Sequence, residues 1–190
     1  MSAPIPAFPH SHIERDARGV YTLRIDDAKS LNILASPVTL GLTEAVRWIA
    51  AQADARALVL RGSGDKAFVG GANIYEMAEL DPDGGRAFIT RLRDLCEAVR
   101  AVPVPTIARL PGFCLGAGME LAAACDIAIA LGVEKLKDPK FIEEIAQKYV
   151  LNEFEKALGA NNPALREARR LEWNRPVKWP LFAGAALLLL

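Results

Sequence analysis

The sequence predicts an α/β protein in which a parallel sheet is connected by crossover helices. Two observations carry that expectation. Short apolar runs that read as strands alternate with longer segments whose apolar residues recur at helical spacing. The 190 residues, 52% hydrophobic and 24% charged, have the composition of a globular protein with one core and room for an appendage.

The elements follow in order. "GVYTLRI" (19–25) alternates Val20, Leu23 and Ile25 with polar neighbours and predicts a strand. "ASPVTLGLTEAVRWIAAQ" predicts a helix with Ser36 as N-cap and Pro37 at the first helical position, and with Leu42, Ala45, Val46 and Ile49 on its apolar face. "ARALVLRG" (55–62) is a short apolar run ending in glycine, as expected of a buried parallel strand. "GGRAFITRLRDLCEAVRAVPVP" predicts a second helix, with Phe88, Leu92, Leu95 and Val99 aligned and Pro103 stopping it. "PTIARLPG" (105–112) predicts another strand, then a turn, then a helix beginning near Gly116.

The remaining composition narrows the function. A formal net charge of +0 removes the electrostatic case for a nucleic-acid partner, whose binders usually present a basic face. Cys96, Cys114 and Cys125 are odd in number and unpatterned in spacing, and no charged-then-apolar leader opens the chain, so a reducing cytoplasm is the expected location. The Pro- and Ser-rich start, "MSAPIPAFPHSH", makes residues 1–16 an expected flexible arm. His10 and His12 lie in it without a carboxylate or thiol to complete a ligand set, so no metal site is expected.

Two glycine-rich loops, each where a strand ends, carry the chemistry. "LVLRGSGDKAFVGGANIYEM" reaches Gly70-Gly71-Ala72-Asn73, and "PTIARLPGFCLGAGME" reaches Gly116-Ala117-Gly118. Small residues let the main chain approach a ligand closely. Backbone N–H groups at a helix start have no acceptor within the helix. One such group from each loop, converging on one oxygen, would form an oxyanion hole. Glu120 lies one helical turn beyond Ala117 on the same face, in reach of a proton or water beside a polarised carbonyl. A Gly-x-Gly turn also serves tight packing alone, and a single exposed glutamate is usually just solvated.

The ordered combination resembles the enoyl-CoA hydratase/isomerase (crotonase) superfamily. Its parts are "RIDDAKSLNILASPVTLGLTEAV", "KAFVGGANIYEM" and "GFCLGAGMELAAACDIAIA", spanning about residues 17–130. The resemblance implies a crotonase-like ββα spiral and an acyl-CoA thioester as substrate. It places the first oxyanion N–H at Ala72, the second at Ala117, and the acid/base carboxylate at Glu120. It assigns CoA binding to Lys29, Ser30 and Leu31 in the loop before "LN", and to Asn73 and Ile74 after the first oxyanion residue. It implies no cofactor, coenzyme A being part of the substrate, and a homo-oligomer, trimer or hexamer. Asn73 stands where the family usually has Asp, Ala117 where it has the central glycine, and Gly70 where it has another small residue.

Residues 131–190 are expected to form a helical tail that does not match the family. Asp138-Pro139 reads as an N-cap and first helical residue, Ile142, Ile145, Tyr149, Val150, Phe154 and Leu158 form a stripe, and Gly159 follows the helix end. The family's second glutamate is not found there, and nothing aligns Glu143 or Glu144 with it. "WPLFAGAALLLL" ends the chain as twelve uncharged residues after a basic, Trp-containing approach. About 18 Å of helix is short of a ~30 Å hydrocarbon core, so a buried segment is expected ahead of membrane contact. The change of character near residue 131 suggests a fused, rearranged or truncated crotonase fold. Two function classes result: an enoyl-CoA hydratase/isomerase-like enzyme, and a catalytically silent acyl-CoA-binding or oligomeric interaction module.

Overall fold

The strands and helices expected up to residue 130 are present in the computed structural model, which describes residues 4–130. The expected tail helices, Glu143, Glu144 and the apolar C-terminus lie outside the described residues. The chain divides into two compact units, residues 1–73 with 80–133 and residues 74–79 with 134–190. Of the second unit the described part is a short helix, α2 (Ile74–Ala78), and Glu79.

The first unit runs β1 (Ser11–Arg15), β2 (Val20–Ile25), α1 (Ser36–Ala50), β3 (Ala57–Gly62), β4 (Ala67–Val69), α3 (Pro82–Arg100), β5 (Thr106–Leu110), β6 (Phe113–Cys114), α4 (Ala117–Ala123) and β7 (Ile127–Ala130). Five strands form one sheet in the order β1-β2-β3-β5-β7, with β1 antiparallel to β2 and the other pairs parallel. β4 and β6 pair in parallel as a separate two-stranded sheet. Among the described residues no helix is long and apolar enough to cross a membrane.

Alternation decides which face of the large sheet is buried. Tyr21, Leu23, Ile25, Leu58 and Leu60 are buried on one face, together with Leu42, Ala45, Val46 and Ile49 of α1 and Phe88, Leu92, Leu95 and Val99 of α3. Full burial of an aliphatic or aromatic side chain contributes about 1.5–3 kcal/mol, so this layer is the main source of stability. The two helical stripes read from the sequence are therefore the two that pack.

Three local features differ from expectation. Residues 11–15, inside the expected flexible arm, form β1 in full register with β2, from Ser11 opposite Ile25 to Arg15 opposite Tyr21. The residues before it are docked as well, with the Phe8 and Trp48 ring centroids 6.1 Å apart. Ile13 is the one buried residue of β1, too little for a period-two signal. The N-cap of α1 is Ala35 and not Ser36; the Ser36 hydroxyl instead accepts from Arg91 Nη1 at 3.2 Å, tying α1 to α3. Asp81, for which the sequence analysis predicts no cap, caps α3 by accepting from the Gly84 N–H at 2.7 Å, ahead of Pro82.

Asp126 sets the start of β7 beside β5. Its Oδ2 accepts from the Thr106 N–H and hydroxyl at 2.8 Å each, and its own N–H donates to Thr106 Oγ1 at 2.9 Å. The Thr106 backbone and hydroxyl bonds hold its carboxyl below the usual carboxylate range. A lowered folded-state pKa stabilises the protein above the unfolded value, and that stabilisation disappears as pH falls through the folded value. Below about pH 4 the melting temperature of the parent chain should therefore fall more steeply than that of Asp126→Asn. Parallel acid profiles for the two chains would contradict this role.

Candidate active site

The two glycine loops lie side by side because β4 and β6 are paired. Ala67 is opposite Phe113 and Val69 opposite Cys114, and the Leu115 N–H continues the ladder to the Val69 carbonyl at 3.1 Å. Both loops leave this small sheet at its C-terminal end. A Cβ added to Gly71 would stand 3.6 Å from the Leu115 carbonyl oxygen, which measures how closely the loops run. Gly116 has φ 50° and ψ −121°, a conformation that disfavours any residue with a Cβ. At Gly118 a Cβ would be 2.5 Å from the Val69 carbonyl oxygen, so glycine is required for α4 to lie against β4.

Backbone pairing leaves one N–H free in each loop. Leu34 N–H donates to the Gly71 carbonyl at 2.9 Å, and Asn73 N–H donates to the Leu34 carbonyl at 3.0 Å. In such a parallel bridge the intervening residue, Ala72, directs its own N–H away from the partner strand. At the other loop Gly118 N–H bonds to the Leu115 carbonyl, and Met119 and Glu120 N–H groups bond to that of Gly116. Among the described residues neither the Ala72 nor the Ala117 N–H donates a hydrogen bond. Ala117 keeps a negative φ, so the missing central glycine leaves no strain at this position.

Glu120 is exposed on α4, one turn after Ala117. Its side chain is close enough to α3 to affect the Cys96 thiol, whose pKa is raised chiefly by burial, lowered by Arg100 and raised further by Glu120 and Glu97. Burial pushes the other thiols up to about 11 for Cys114 and about 12 for Cys125. None of the three is therefore a thiolate nucleophile at neutral pH.

The expected CoA-binding residues separate into groups. Leu31 lies against the first glycine loop, its carbonyl accepting from the Gly70 N–H at 2.9 Å. Lys29 and Ser30 are exposed on a 3₁₀ turn at Ala28–Ser30. Asn73 is fixed by its bond to Leu34, while Ile74 opens α2 in the second unit.

Asn32, between these parts, was not singled out from the sequence. It is fully buried with φ 57°. Its Nδ2 donates to the Ser63 and Ala67 carbonyls at 3.1 and 3.0 Å, and its Oδ1 accepts from the Asp27 and Ser63 N–H groups at 3.3 Å each. The side chain thus ties the 27–32 loop to the connection between β3 and β4. Its sequence signal is asparagine, the side chain best suited to a left-handed turn, directly after Leu31. Asn32→Ala should cost roughly 3 kcal/mol, since it strands buried donors and acceptors. Chemical denaturation measures this, and a loss below about 1 kcal/mol would deny the tie that role.

Comparison with known proteins places this architecture. An enoyl-CoA hydratase crystal structure from Bacillus anthracis superposes with a TM-score of 0.61 at 30% identity, covering 64% of this chain and 47% of that one. The fold is the crotonase fold. The family model described as "Enoyl-CoA hydratase/isomerase" matches residues 15–141, and the chain belongs to that family. The match extends eleven residues past Ala130. Among curated relatives, the mitochondrial methylglutaconyl-CoA hydratase of Mus musculus is 32% identical over 125 residues, which is 66% of this chain and 40% of that protein. The crotonyl-CoA hydratase of Syntrophomonas wolfei is 32% identical over 134 residues, 70% of this chain and 51% of that protein. The chain thus spans about half or less of the length of these relatives.

Proposed function

We propose that this chain binds acyl-CoA thioesters and acts on them through an enolate, as an enoyl-CoA hydratase/isomerase-like enzyme. The observation that carries the reading is the pair of unpaired N–H groups, Ala72 and Ala117, on adjacent loops of a family member. Both donate to the thioester oxygen, where negative charge accumulates as the α-carbon becomes an enolate. Glu120 handles the proton. Lys29, Ser30, Leu31, Asn73 and Ile74 hold the CoA portion. The chemistry needs no metal or redox group.

In the hydration sense, a water oxygen bonds to the β-carbon of the conjugated thioester, the double-bond electrons pass into the enolate, and a proton finally reaches the α-carbon. In the isomerisation sense, Glu120 takes a proton from the α-carbon and returns it at the γ-carbon. Isomerisation requires one carboxylate; hydration requires a group to activate water and another to deliver the proton. Glu120 is the one carboxylate assigned at these loops, which favours isomerisation between the two.

A second reading is favoured by the share of relatives' length that the chain spans. In it the domain binds acyl-CoA, or mediates homo-oligomer assembly, without turnover. Incubating the full chain with crotonyl-CoA and with a 3-enoyl-CoA, while following the conjugated thioester absorbance, separates these readings. Loss of absorbance with the first, or gain with the second, supports the enzyme. Saturable thioester binding with neither change would replace the enzyme reading by the binding module, and no binding at all would sink both acyl-CoA readings.

A further inference from the structure

The face of the large sheet turned away from β4 carries a row of arginines. Arg24 on β2, Arg61 on β3 and Arg109 on β5 are direct register partners, Arg24 with Arg61 and Arg61 with Arg109. They share one face because parallel neighbours in register project their side chains to the same side. That face is opposite the candidate active site's small sheet. Gly62, next to Arg61 and so projecting the other way, points at Asn32 and at the carbonyls of Ala67 and Phe68, 2.3–2.4 Å from its added Cβ.

Like charges directly across adjacent strands are unfavourable unless a counter-charge stands between or above them. Among the described residues little compensation is present. Arg24 Nη1 is 3.7 Å from Glu14 Oε1, a carboxylate that also lies 3.4 Å from His12 Nε2. Arg61 Nε donates to the Gly62 carbonyl at 3.2 Å. Arg109 Nη1 is buried and, among the described residues, has no hydrogen-bond partner. Buried guanidinium nitrogens without an acceptor are rare in native proteins. Among the described residues Glu14 is the one carboxylate within ion-pair distance of the row, and it reaches Arg24 alone. A phosphate group carries about −1.5 to −2 at neutral pH and accepts from paired guanidinium forks.

We propose that this row is an anion-binding site in which Arg61 and Arg109, flanked by Arg24, hold the phosphate group of a small molecule. The orphaned Arg109 nitrogen supplies the innermost donor. Arg24 stands at the rim, where Glu14 limits the charge it contributes. The site is independent of acyl-CoA turnover and lies on the other face of the sheet from the glycine loops.

The test is binding of inorganic phosphate to the full chain at constant ionic strength and pH, with chloride as the reference anion, read as a saturable rise in melting temperature and as direct binding by dialysis. Arg109→Gln and Arg61→Gln should each weaken phosphate binding tenfold or more. Arg24→Gln at the rim should weaken it about threefold, being already shared with Glu14. Arg100→Gln, on the exposed surface of α3, should leave it unchanged. Should Arg109→Gln fail to fold, Arg61→Gln and Arg24→Gln still decide the matter. A parent chain that binds phosphate no better than chloride, or arginine variants that bind it as the parent does, would overturn the site. Crotonyl-CoA at saturation should not displace the phosphate; displacement would assign the anion to a CoA pocket and also overturn it.

Discussion

Glu120→Gln should lower turnover of the thioester substrate by about 10²–10⁴-fold while leaving its affinity within a few-fold of the parent value. The amide has the size and shape of the carboxylate but neither removes nor supplies the proton. Because Glu120 is exposed and one turn into α4, the change disturbs no core packing, and the melting temperature should hold. The loss is then in kcat and not in KM, which distinguishes a proton-transfer group from one that grips the substrate. Turnover equal to that of the parent chain would remove Glu120 from the mechanism.

The second large effect isolates a backbone atom. Ala117→Pro deletes one N–H and should cost about 10²–10³ in kcat, the usual consequence of removing one oxyanion donor. Proline is tolerated at this position on physical grounds. Ala117 is the first residue of α4, where an N–H has no partner inside the helix and proline's fixed φ matches the helical backbone. The preceding residue is glycine in an extended mirror-image conformation, so the restriction proline places on its predecessor is mild. Circular dichroism and thermal melting on the same sample report whether the fold is kept. A folded variant with parental kcat would show that this N–H does not face the developing charge.

Much of this site was legible before the fold was known, because its parts are local. Glycines and alanines at strand ends announce close backbone approach, and Glu120 follows Ala117 at a helical interval. The stripes of α1 and α3 and the buried positions of β2 and β3 follow from periodicity, since one face of each packs into the same layer. The remaining features depend on contacts between distant segments. β4 is three residues long and buried throughout, and β6 has two residues, so neither shows alternation. Yet their pairing is what sets the two glycine loops side by side. That Ala72 has a free N–H follows from the bridge to Leu34, some forty residues earlier, and no pattern within the loop itself encodes it. β1 has no sequence signature because its single buried side chain, Ile13, carries no period, and Ser36 reads as a cap because its hydroxyl meets Arg91 only in the folded state.

The central claim is that two backbone N–H groups polarise a thioester carbonyl. The infrared carbonyl stretch of crotonyl-CoA, labelled with ¹³C at the thioester carbon and bound to Glu120→Gln to prevent turnover, reads that polarisation directly. The stretch should move to lower frequency on binding and return part of the way to the free value when Ala117→Pro is added, the Ala72 donor remaining. A bound thioester whose carbonyl frequency equals that in solution would contradict the account, whatever the turnover of the parent chain.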